Sequence, residues 1–102
     1  MELVLTGEFI GAQEAVMRGL ASRMVKTENC LTEAIDLAFK ISKFSRISVI
    51  KAKEAVNVSF ETSLSQGLDY EKRLFWSTFA LEDQKIGMNA FANKKNPEFK
   101  NK

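Results

Sequence analysis

The chain has 102 residues, 45% of them hydrophobic and 27% charged, with a net charge of +2. That length allows one modest domain, and the balance is that of an ordinary globular protein, which excludes a disordered tail and a fibre. So small a charge, with no dense basic run, gives no reason to expect nucleic acid as a partner. There is no histidine, and Cys30 is the only cysteine. An internal disulfide, a Cys-based metal site, His-ligated zinc and histidine acid–base chemistry are therefore excluded from these residues. No apolar stretch reaches the ~20 residues of a membrane span. The opening, Met1 to Leu5, does not read as a targeting peptide: it is short and carries an acidic residue.

One proline and five glycines punctuate the chain lightly, which favours helices joined by short turns. Residues 1–6 read as the last turn of a helix ended by Gly7, with the beginning of the element expected upstream. Residues 12–18 predict a short helix ending at Gly19. Leu20–Val25 follows as a brief extended segment, Leu20, Ser22 and Met24 alternating with Ala21, Arg23 and Val25. Thr27 is an N-cap residue type for the next helix, with Glu28 in its positive first turn. Leu31, Ala34, Ile35, Ala38 and Ile41 then recur at helical spacing.

Ser45 can cap a third helix with Val49, Ala52, Val56 and Phe60 on one face. Leu64, Leu68, Phe75 and Phe79 mark a fourth, and Tyr70, Leu74 and Trp76 widen its apolar surface. A fifth runs from about Glu82 to Asn93, and Pro97 stops any continuation. The expected class is mainly α: about five helices and one short extended segment, in a single helical domain over residues 1–102. Phe75, Trp76, Phe79 and Phe91, with Met88, exceed what one helix stripe needs. They either share one core or form a patch that another chain or domain covers. Lys94, Lys95, Lys100 and Lys102 thicken the positive charge near the end, as a solvated tail or as contacts to one or two phosphates of a small ligand.

Three motifs and the opening segment carry a family resemblance. The opening, MELVLTG, is similar to the end of a helix that leads out of a catalytic domain. Ala12–Gly19, AQEAVMRG, followed by LASRMV, resembles the pattern A-Q-E-A-x-x-x-G-L-V-x-x-V. Ala52–Asn57, AKEAVN, matches A-K-E-A-V/L-N. The longest stretch, EKRLFWSTFALEDQKIGMNAFANKK from Glu71 to Lys95, is similar to an E-x-x-x-F helix followed by F-A-T-x-D-x-x-E-G-M-x-A-F-x-x-K-R. In order and nearly ungapped, these segments resemble the crotonase superfamily, with short-chain enoyl-CoA hydratases the nearest members. Departures fall at caps and turns: Gly11 stands in place of a common Ser, and Lys26 and Arg46 in place of prolines. Leu81 replaces a Thr, and Lys85 a Glu.

The resemblance implies the C-terminal helical, trimerisation region of the crotonase fold, with the N-terminal β/α spiral not among these residues. Family members of the hydratase type add water to a trans-2-enoyl-CoA, giving a 3-hydroxyacyl-CoA in fatty-acid β-oxidation. They use two glutamates and an oxyanion hole of two backbone N–H groups. Those groups lie in the N-terminal part of relatives. Glu14, Glu54, Glu71 and Glu82 match none of the motifs that carry them, so no catalytic residue is carried over, and no metal ligand.

Two positions are carried over. Lys94 matches a lysine that reaches from a neighbouring subunit to the coenzyme A nucleotide, a role suited to a point charge on a long stem. Phe91 matches an aromatic that approaches the same region, and Lys95 is a weaker candidate by adjacency. Phe75 and Trp76 are read first as packing residues and second as the wall of an acyl channel. The implied partners are an acyl-CoA, as substrate and not as cofactor, and further copies of the subunit, as a trimer or a dimer of trimers. Neither nucleic acid nor a membrane is expected. The implied location is the mitochondrial matrix of a eukaryote or the cytoplasm of a bacterium. Isomerases, dehalogenases and thioesterases share the architecture, and helix periodicity alone also permits a non-enzymatic interaction module.

Overall fold

A computed structural model describes every residue from Met1 to Lys102. It holds six α-helices, one 3-10 turn and no strand. The helices are α1 (Glu2–Thr6), α2 (Ala12–Met17), α3 (Cys30–Ser42), α4 (Arg46–Ser59), α5 (Leu64–Thr78) and α6 (Glu82–Ala92), and the 3-10 turn spans Thr27–Asn29. The mainly α class is as expected, and residues 2–6 are helical. Gly7 ends α1 at φ 68°, its N–H donating to the Leu3 carbonyl at 3.1 Å. A residue with a Cβ resists that left-handed conformation.

Two details differ from the sequence reading. Leu20–Val25 forms no strand: the backbone bends through Ser22 and runs irregularly to Lys26, since no second extended segment exists to pair with it. Thr27 does not cap an α-helix. Lys26 occupies the cap of the 3-10 turn in extended conformation, and α3 begins three residues later at Cys30.

The chain falls into two compact units, Met1–Ile35 and Asp36–Lys102. The division lies inside α3, at no glycine or proline. In the first unit α2 closes at Gly19 with both bonds of a Schellman motif: Leu20 N–H to Ala15 carbonyl at 2.8 Å, and Gly19 N–H to Val16 carbonyl at 3.1 Å. Glu14 and Arg18 make an i,i+4 ion pair at 2.7 Å on its surface.

In the second unit α4 packs on α5. Lys51 donates to Ser77 Oγ at 2.5 Å and Tyr70 donates to the Glu54 carboxylate across that contact. The glutamate charge also raises the pKa of Tyr70, the hydrogen bond being the larger cause. The half-buried side chains here include Val49, Ala55, Val58, Tyr70 and Leu74. The stripe expected from periodicity is elsewhere: Val56, Phe60, Leu64, Leu68, Phe75 and Phe79 are all more than half exposed.

No apolar side chain in the chain is buried, and the two buried residues are polar, Ser45 and Asp83. The accessible surface is 9061 Å², whereas a folded monomer of this mass exposes about 5,800 Å². Apolar stripes are present, as their spacing predicts, but this chain alone does not cover them.

Candidate functional site

The site residues expected from sequence, Phe91 and Lys94, sit on one turn at the C-terminus of α6. The local sequence explains the turn. Pro97 cannot continue a helix, and Asn93 binds its own end of α6, Nδ2 donating to the Asn89 carbonyl at 2.9 Å. The chain then reverses in a Schellman motif: Lys95 N–H donates to the Ala90 carbonyl at 2.9 Å and Lys94 N–H to the Phe91 carbonyl at 3.2 Å.

The reversal places Lys94 at φ 53°. Glycine is the usual residue there, and a side chain costs about 1 kcal/mol or more in that region. The strain is local, and strain of this kind gathers at functional positions. Lys94, Lys95 and Phe91 are all exposed, Phe91 by 84%. The turn thus presents two ammonium groups and an aromatic ring from one short piece of backbone. Two cations there also complement the negative end of the α6 dipole.

Phe75 and Trp76 lie apart from this turn along the chain, on α5. Phe44, Phe75, Phe79, Met88 and Phe99 line one apolar cleft, in which Phe75 and Phe79 meet edge to face with centroids 5.3 Å apart. Trp76 stays on the surface with the Lys72 ammonium 4.8 Å over its ring.

A second constellation escaped the sequence reading. Asp83, in the first turn of α6, is the most buried residue of the chain, 1% exposed. Its carboxylate accepts the Lys100 N–H at 2.7 Å and the Asn101 N–H at 3.0 and 3.2 Å. In return the Asp83 N–H donates to the Lys102 carbonyl at 3.2 Å. Asn101 Oδ1 accepts the Arg46 N–H at the start of α4, at 2.9 Å.

The tail therefore caps two helices at once. Leu81 and Ser45 are the N-cap residues of α6 and α4, and neither makes a side-chain cap bond. The donors they leave free are met by Lys102 and Asn101 instead. Arg46 matters here because its family counterpart is commonly proline, which has no N–H to give. The signals in sequence were an acidic residue at a helix start and a cap-type residue, Asn101, in a tail without periodicity. Neither indicates a partner 17 to 55 positions away.

Burial pushes the Asp83 pKa up, but it is outweighed. The Ser45 hydroxyl, the Lys100 and Asn101 N–H groups and the Lys100 ammonium favour the charge, and the carboxyl is held below its ordinary value. Ser45 Oγ stands close enough to act as a dipole, although its geometry falls short of a hydrogen bond to any atom.

The four glutamates considered above are dispersed. Glu14 pairs with Arg18, Glu54 accepts Tyr70, Glu82 lies 3.6 Å from the Lys100 ammonium, and Glu71 lines the groove between α4 and α5. No helix is long and apolar enough to cross a membrane.

The whole chain, residues 1–102, matches the family model described as enoyl-CoA hydratase/isomerase. It is 51% identical over 102 residues to a probable mitochondrial enoyl-CoA hydratase of Dictyostelium discoideum, covering all of this chain and 37% of that protein. It is 50% identical to a probable enoyl-CoA hydratase of Rhizobium meliloti, again over all of this chain and 40% of the relative. Among solved structures, the enoyl-CoA hydratase of Bacillus anthracis superposes with a TM-score of 0.91 at 35% identity, over 99% of this chain and 39% of the other. The chain thus spans about two fifths of the proteins it matches. Along its full length, and in the arrangement of its helices, the chain belongs to the enoyl-CoA hydratase/isomerase family, and its helices are those of the crotonase fold.

Proposed function

We propose that residues 1–102 are the C-terminal, assembly-forming and coenzyme A-contacting region of a subunit that hydrates trans-2-enoyl-CoA to 3-hydroxyacyl-CoA. The observation that carries this reading is the identity of about half the residues, along the entire chain, to proteins named as hydratases of which it spans only two fifths. Water addition would use glutamates and an oxyanion hole outside these residues. The part played here is to bring subunits together and to hold the nucleotide end of the substrate.

Two features support that division of labour. The Phe91–Lys94 turn presents a ring and an ammonium group together at a strained position, as a contact to an adenine nucleotide and its phosphate requires. The aromatic and aliphatic faces of α5 and α6 are open to solvent and need a covering surface, which further copies of the subunit provide in a trimer or a pair of trimers. Fatty-acid β-oxidation is the process proposed, in the mitochondrial matrix or, for a bacterial source, the cytoplasm. The family description also names isomerases, which makes double-bond migration in an enoyl-CoA the second reading.

The test is hydration of crotonyl-CoA, followed as loss of the conjugated thioester absorbance. Residues 1–102 and the complete natural polypeptide that carries them are assayed side by side. The expected result is turnover by the complete polypeptide only. Turnover by residues 1–102 alone would place a catalytic carboxylate among them and overturn the assignment. An inactive complete polypeptide that shifts the double bond of a 3-enoyl-CoA would favour the isomerase reading.

A further inference from the structure

We propose that Asp83 is a positioning residue for the Lys94 turn, acting through the tail from the opposite end of α6. The inference rests on the reading of Lys94 as a contact to the coenzyme A nucleotide. Geometry carries it. From Asp83 to the end of α6 the helix rises about 15 Å. The chain leaves α6 at Lys94 and is back beside Asp83 at Lys100. Those six steps can span at most about 20 Å when fully extended.

The return uses about three quarters of that reach, and it is stiffened and pinned along its course. Pro97 fixes one backbone angle. The Phe99 ring lies beside Gly87, where a Cβ would meet it in ordinary contact at 3.4 Å, so the returning chain runs against α6 at mid-helix. At its end the segment is tied three ways: the Asp83 carboxylate to two N–H groups, the Asp83 N–H to Lys102, and Asn101 to Arg46.

A short segment fixed at one end restricts the other. Lys94 sits in a backbone conformation that a lysine does not favour, so the turn rests on its own two hydrogen bonds and on the anchoring of the chain that follows it. With the latch open, residues 96–102 are released. The turn can then relax to an ordinary φ, which re-aims the Lys94 stem. Asp83 touches no substrate in this scheme. Its effect is expressed only through the cation it helps to place.

The test is equilibrium binding of coenzyme A, and of pantetheine, which lacks the nucleotide. It is run on the complete polypeptide as wild type, Asp83→Asn, Lys94→Ala and the double variant. Asp83→Asn should weaken coenzyme A binding roughly two- to fivefold, the size of one exposed ion pair, and leave pantetheine unchanged. In the Lys94→Ala background it should have no further effect. Deleting residues 100–102 opens the latch from the other side and should reproduce the result if Asp83→Asn folds poorly.

Equal losses for both ligands, or losses that add to those of Lys94→Ala, would mean that Asp83 supports the fold only, and would overturn the proposal. Lys94→Ala binding coenzyme A as well as wild type would remove the Lys94 reading and this inference together. That pattern is distinct from one in which Lys94→Ala weakens binding and Asp83→Asn does not.

Discussion

The tail latch and the apolar face of α5 and α6 treat solvent in opposite ways. At the latch a carboxylate is almost wholly buried, yet its oxygens are met by two N–H groups and its own N–H by a carbonyl. On the face, Phe75, Trp76 and Met88 stand about three-fifths exposed. A polypeptide usually does the reverse, hiding rings and hydrating carboxylates. The polar site is complete within the chain, while the hydrophobic one is left open to solvent.

That contrast is open to experiment. The largest effect belongs to the face. Trp76→Asp in the complete polypeptide should break subunit assembly and shift a sedimentation profile from oligomer to monomer. An unchanged oligomer would show that this part of α5 is not at the interface.

Acid should open the latch and leave the face untouched. The Asp83 carboxyl is held below its ordinary value in the folded chain. Its contribution is therefore fully present above the unfolded pKa of about 3.9, and it is lost as pH falls through the lower folded value. Amide exchange at Lys100 and Asn101 should accelerate over that acid range, and Asp83→Asn should remove the pH dependence. Exchange independent of pH, after correction for intrinsic rates, would contradict the role given to the carboxylate.

A smaller effect is expected at Lys94. Lys94→Gly relieves the left-handed strain and should stabilise the chain by up to about 1 kcal/mol, seen as a rise in Tm, while coenzyme A binding weakens. A fall in Tm would show that the lysine side chain makes a contact that outweighs its strain. The smallest change is Arg46→Pro. It removes one hydrogen bond of about 1 kcal/mol but places a proline where a helix start favours it. Thermal melts should agree with wild type within about 0.5 kcal/mol.

Much of the secondary structure was legible because it is local. Gly19 ends α2, Ser45 precedes α4, and α5 and α6 lie where the apolar spacing puts them. The covered face of each helix was not legible. Val56 and Phe60 have the spacing of a core stripe, but spacing shows only that a stripe exists and not what lies against it. Ala55 and Tyr70, half-buried on α4 and α5, are small or partly polar and give a weaker pattern.

The candidate site divides in the same way between what local sequence shows and what it does not. Phe91 and Lys94 came from motif resemblance, and the structure puts them on one turn. The strained φ of Lys94 has no sequence signal, because such positions are normally recognised by a glycine. Asp83 stands at the D of the F-A-T-x-D pattern, but its role was not legible: its partners are backbone groups at Lys100 and Asn101, and any residues can supply those.

The central claim, that this chain carries an unsatisfied apolar surface made for other copies of the subunit, is tested most directly by sedimentation equilibrium of residues 1–102 over a wide concentration range. The account predicts self-association that strengthens with concentration, with a trimer among the species, and its loss in Trp76→Asp. A single monomeric species at every accessible concentration, with a cooperative thermal transition, would contradict it.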